Sequence, residues 1–153
     1  MKLLDFYINK MDASAADQKL LLREKASTLA KTMTRDGCTS PTPYEFILKF
    51  TDAGSPADYD LSLQELYISK FPETGLSQLI QAQMHYSNGE STEEIFEQLE
   101  SGLKMEPNTP YGYLVACWMD YETQNYEAGL DHATLGLEKI DAITAASGFK
   151  FSQ

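Results

Sequence analysis

One spacing limits what this chain can fold into. Gly102-Leu103 returns as Gly136-Leu137 after 34 residues, and at the same distance Leu79 is followed by Tyr113 and Ala82 by Ala116. Pro72 and Pro107 lie 35 residues apart, each just behind an apolar, helix-patterned run. Self-similarity at such a period is the mark of stacked two-helix units, because one unit cannot bury its own apolar faces and neighbours must stack to do so. The residue types fit that geometry. Small side chains let paired helices approach, and the Pro stops the second helix so that the next unit can begin. The same frame, carried one unit back, places Tyr44 and Ile47 near the start of a helix.

Helical signals run along the whole chain. Leu3, Leu4, Tyr7, Ile8 and Met11 keep helical spacing. Ser14 with Asp17 reads as a capping arrangement, before a stripe of Leu22, Ala26, Leu29, Ala30 and Met33 that ends at Asp36-Gly37. Thr42-Pro43-Tyr44-Glu45 predicts a helix start with Thr as cap and Pro in the first turn, where a missing N–H costs nothing. Ser55-Pro56-Ala57-Asp58 repeats the device ahead of Tyr59, Leu63, Leu66 and Tyr67, and Phe71-Pro72 closes that run. A further helix is predicted from Leu76 to about Ser87, ending at Asn88-Gly89. Ser91-Thr92-Glu93-Glu94 forms a capping box in front of Ile95, Leu99 and Leu103. Thr109-Pro110 opens a helix through Tyr121, and Tyr126, Leu130, Ala133, Leu137 and Ile140 make the last stripe. Strand signals are missing from the pattern and the connections are short, so neighbouring helices should form antiparallel hairpins. The predicted class is all-α. Residues 1–40 are expected to be two helices packing on the repeats, 41–143 three units (41–75, 76–109, 110–143), and 144–153 a tail.

Charge and motifs narrow the function. A net charge of −11, from 23 acids against 12 bases, disfavours direct nucleic-acid binding, which depends on Lys and Arg neutralising phosphates. Cys38 and Cys117 stand far apart without a Cys-x-x-Cys pairing and read as reduced thiols. The apolar stretch after Met1-Lys2 is too short and too polar for a signal peptide or a membrane span, so a cytoplasmic protein is expected. His85 and His132 are separate helical residues, and Glu93, Glu94, Glu97 and Glu100 read as a solvated helix face. There is no metal-ligand spacing, phosphate loop or nucleophile signature. The expectation is a protein without enzymatic activity, metal or cofactor.

The run Tyr111 to Tyr121 is apolar nearly all round, and such a helix is expected to be covered on every side. In a single layer of hairpins one side stays open, so either a partner or another segment of the chain must cover it.

The two-helix unit resembles the tetratricopeptide repeat over residues 41 to 143. The third unit matches best, with Tyr113 at the first large position, Ala116 and Cys117 at the small ones, Asn125-Tyr126-Glu127 at the turn, and Gly129, Ala133 and Gly136 in the second helix. The second departs at Gln83 and Ile95, the first at Asp60 and Tyr67. That resemblance implies a right-handed superhelix with a concave groove lined by first helices. Its candidate protein-binding residues are Ile80, Met84, Tyr111, Leu114, Trp118 and Tyr121. Members that clamp a peptide carboxylate use Lys, Asn and Arg at such positions. Here they are apolar or aromatic, which suits a hydrophobic helix or extended segment.

The strings "LYISKFPETGLSQLIQAQMHYSNGESTEE" and "PYGYLVACWMDYETQNYEAGLDHATLGLEK" are similar to the large tetratricopeptide scaffold subunits of superkiller complexes. The shared features are the Phe71-Pro72 helix end, the Ser87-to-Thr92 stretch, Gly112, Asn125-Tyr126-Glu127 and Thr134-Leu135-Gly136-Leu137. Such subunits are much longer cytoplasmic scaffolds that hold an RNA helicase and WD-repeat proteins for the exosome in mRNA decay. The resemblance therefore implies those partners, and that this chain is part of a longer protein. The alternative is a small tetratricopeptide chaperone that holds a hydrophobic segment of a secretion client.

Overall fold

A computed structural model describes residues 1–12, 14–50, 61–90 and 92–147. These residues form eight α-helices and no strand: α1 (Lys2–Asp12), α2 (Ala16–Arg35), α3 (Thr42–Phe50), α4 (Leu61–Lys70), α5 (Gly75–Ser87), α6 (Thr92–Met105), α7 (Pro110–Glu122) and α8 (Tyr126–Ser147). The protein is all-α. The helix start expected at Ser55–Asp58, the stripe residue Tyr59, the departure at Asp60, the cap at Ser91 and the last six residues of the tail lie outside the described residues. The chain divides into two compact units, one comprising Met1–Leu63 and Ala142–Gln153, the other Gln64–Asp141. The division falls inside the stretch 41–75.

In the first unit α2 packs against both α1 and α3. Ala26 and Ala30 are fully buried beside Leu4, Met11, Phe46 and Ile47, so the smallest residues of the α2 stripe sit where neighbouring helices come closest. The α1 stripe turns inward through Leu4 and Met11, while Leu3 stays exposed. Gly37 adopts φ 78° at the end of α2, where the Cys38 N–H reaches back to Met33 O at 3.0 Å, closing the helix as its sequence predicts. Two caps differ from expectation. The N-cap of α2 is Ala15, with no side-chain cap, and Ser14 instead donates its hydroxyl to Lys10 O at 2.6 Å. Thr42 lies inside the first turn of α3, whose Glu45 N–H bonds to Pro41 O.

The second unit repeats its own backbone. The turn after α5 bonds Asn88 N–H to Met84 O, Gly89 N–H to Tyr86 O and Glu90 N–H to His85 O. The turn after α7 bonds Thr123 N–H to Met119 O, Gln124 N–H to Tyr121 O and Asn125 N–H to Asp120 O, each 35 residues later. Gly89 at φ 75° is matched by Gln124 at φ 63°. The links into α5 and α7 match as well: Phe71 N–H to Tyr67 O and Thr74 N–H to Phe71 O recur as Glu106 N–H to Gly102 O and Thr109 N–H to Glu106 O.

Packing repeats with the backbone. A Cβ on Gly102 would lie 2.8 Å from Leu79, and one on Gly136 would lie 3.1 Å from the Tyr113 Cβ. Both contacts join the two helices of a pair, and they are related by the 34-residue spacing. The start of α5 at Gly75 meets the end of α6 at Met105, so the pair is antiparallel. Leu79, Ala82, Ile95, Leu99, Val115, Ala116 and Met119 form the core of this unit.

The α8 stripe divides: Tyr126, Leu130 and Leu137 are exposed and Ala133 and Ile140 half-buried, while Gly129 and Gly136 are buried against α7. The close approach through the glycines faces the larger residues outward.

Candidate functional site

Helix α7 is set by its ends. Thr109 is its N-cap without a side-chain hydrogen bond, Pro110 occupies the first turn, and Thr123 closes it. Gly112 is buried against Leu103 of α6, at a separation no Cβ could share, and this seats α7 on α6. Val115, Ala116 and Met119 then face the core, and the rotation is fixed.

The opposite face carries Leu114, Trp118 and Tyr121 at the i, i+4, i+7 spacing that aligns side chains along one side of a helix. They are 69%, 38% and 65% exposed. Trp118 is held by an edge-on contact with Tyr86 of α5, ring centroids 5.0 Å apart. Burial, and then the Glu122 carboxylate, raise the Tyr86 phenol above its ordinary pKa. Tyr121 extends the aromatic surface to Tyr126 through an edge contact at 5.8 Å. Tyr111 is half-buried, and its hydroxyl donates to Gln83 Oε1.

The six candidate residues therefore fall into different settings. Leu114, Trp118 and Tyr121 form an open apolar line. Tyr111 and Met84 are half-buried, and Ile80 is buried. Tyr86 and Gln83, which tie α5 to this face, carry no sequence signal of that role, because their partners lie a repeat away.

Behind the aromatic line is a buried acid. Asp120 faces into the unit, its Oδ2 lies 2.6 Å from His132 Nδ1 on α8, and Asn125 Nδ2 is 3.5 Å from Oδ1. The pair joins α7 to α8, with the Asp120 carboxylate buried and the His132 ring partly exposed. His85 has a different partner, Glu90 Oε2 at 2.7 Å across its own turn. Among the described residues no group of three or more His, Cys, Asp or Glu side chains could hold a metal ion, and no helix is long and apolar enough to cross a membrane. Cys38 and Cys117 are both free and half-buried.

Comparison with known protein families, curated proteins and solved structures finds no match to this chain.

Proposed function

We propose that this chain is a non-enzymatic helical-repeat scaffold that binds protein through the exposed face of α7. The observation that carries the reading is the bare line Leu114, Trp118 and Tyr121, set on a helix whose other sides are packed. Rigid aromatic and aliphatic side chains aligned on a fixed helix are the usual anchors of a protein interface. The recurrence of turns and interhelical contacts supports repeats of the tetratricopeptide kind, stacked as a right-handed superhelix, with this face on the groove side. The sequence resemblance to superkiller scaffold subunits extends the proposal to a cytoplasmic complex acting with an RNA helicase, WD-repeat proteins and the exosome in mRNA decay.

The test is affinity purification of the tagged chain from its native cell extract, with mass spectrometry and a parallel Leu114→Ser/Tyr121→Ser bait. Recovery of an RNA helicase and WD-repeat proteins by the wild-type bait alone is the expected result. Recovery of a single secreted or membrane-destined client instead would replace the scaffold by a chaperone. Equal recovery by both baits would remove the α7 face from the binding site.

A further inference from the structure

The outer face of α8 matches, one period on, a helix face that is covered within this same unit. The contacts of Gly102 with Leu79 and of Gly136 with Tyr113 fix the correspondence between α6 and α8 at 34 residues. On that correspondence Phe96 becomes Leu130 and Leu103 becomes Leu137. Phe96 and Leu103 are half-buried and packed on the core, and Leu103 meets Gly112 where α7 crosses α6. Their counterparts are bare: Leu130 is 69% and Leu137 61% exposed, with Tyr126 at 59% beside them. The α8 face thus repeats the spacing of the α6 face, with Leu137 at the position where Leu103 meets Gly112.

Charge says what kind of helix fits. Glu127, Asp131, Glu138 and Asp141 are exposed along α8, against a single base, Lys139. Two copies meeting through this face would bring like charges together, whereas Lys and Arg flanking an apolar stripe would be attracted. We propose that the outer face of α8 docks a positively charged amphipathic helix of a partner protein, with a small residue crossing Leu137 as Gly112 crosses Leu103. This surface adjoins the α7 face at Tyr126, but the proposal does not depend on the function of that face. Docking reproduces the packing that α6 already gives α7, with lysines or arginines of the incoming helix set against the four α8 acids.

The probe is a fluorescein-labelled peptide of residues 109–122 carrying Tyr111→Lys, Tyr113→Lys, Asp120→Lys and Glu122→Lys. It keeps Gly112, Val115, Ala116 and Met119, the face that α7 lays on its neighbours, and sets bases along both edges of that face, on the side of the α8 acids. Fluorescence anisotropy against the full chain should show saturable binding. Leu130→Ser/Leu137→Ser should weaken it at least tenfold, as should ~0.5 M salt, which shortens the screening length to a few ångström. Leu20→Ser, an exposed leucine on α2, should leave it unchanged. Circular dichroism of the double variant should match wild type, since both leucines are exposed. Absence of binding, or binding indifferent to the α8 substitutions, overturns the proposal. So does self-association of the chain in sedimentation velocity that Leu130→Glu abolishes, because the occupant would then be a second copy.

Discussion

Replacing Gly102 by Ala separates close helix packing from helix propensity, because the two act in opposite directions. An exposed helical Gly→Ala change stabilises by about 1 kcal/mol. At Gly102 the new methyl would lie 2.8 Å from both Cγ and Cδ2 of Leu79, a residue with no exposed surface. Leu79 has no room to retreat, since the space at Gly112 is also filled by its δ carbons, 3.0 and 3.1 Å from where a Cβ would stand. Overpacking of a core costs about 1–3 kcal/mol, and a side chain hemmed in on two sides belongs at the upper end. The net expectation is a loss of about 2 kcal/mol, or roughly 4–8 °C in Tm for a chain of this size. Gly136→Ala is the internal control. Its methyl would meet one atom, the Tyr113 Cβ at 3.1 Å, on a helix whose outer face is free to yield, so overpacking and propensity should nearly cancel. Urea unfolding followed by Trp118, the single tryptophan, reports on the second unit directly. Stabilisation of Gly102→Ala by about 1 kcal/mol, as propensity alone would give, would refute the close packing of α5 on α6.

Three further outcomes follow from the second unit. Gln124 holds φ 63° where the equivalent turn has Gly89, so Gln124→Gly should stabilise by about 1 kcal/mol in chemical denaturation; no gain would mean that the turn is not left-handed. His132→Ala leaves the buried Asp120 carboxylate with only the long Asn125 contact and should cost about 2–3 kcal/mol, whereas Asp120→Leu/His132→Leu should cost less than the single change. A raised phenol pKa at Tyr86 means that the neutral form is favoured on folding. Its contribution is complete below about pH 10, the ordinary tyrosine value, and fades as pH rises through the raised folded value. Tyr86→Phe should therefore flatten the alkaline limb of a stability–pH profile, and an unchanged limb would show that the phenol titrates normally.

Local signals were legible in the sequence and non-local ones were not. Gly37 and Gly89 mark helix ends because left-handed backbone favours glycine, and both take it. The pairing of small with large residues at 34-residue spacing was also readable, since Gly102 and Gly136 each meet the large side chain on the partner helix. The cap of α5 was not readable: Thr74 accepts from Ser77 N–H, but it sits behind Phe71-Pro72 in a stretch that reads as a break. The turn at Gln124 lacks the glycine that would announce it. Asp120 reads as a surface residue from type alone, and only its approach to His132, twelve positions on in another helix, explains its burial. The stripe of α8 was legible as helical, but apolar periodicity identifies an apolar face without saying which neighbour covers it. The α7 line was legible as apolar, but its division into open and packed residues needed Tyr86 and Gln83 from α5.

The account rests on the α7 face binding protein, and the most direct measurement compares wild type with Leu114→Ser/Tyr121→Ser for captured partner and stability in the same preparation. Both side chains are about two-thirds exposed, so each change should cost under ~1 kcal/mol of folding stability. As interface anchors they should together cost at least ~2 kcal/mol of binding, roughly a thirtyfold loss of captured partner. The account predicts that loss, with the melting temperature lowered by no more than a few degrees. Undiminished capture by a folded double variant would contradict it.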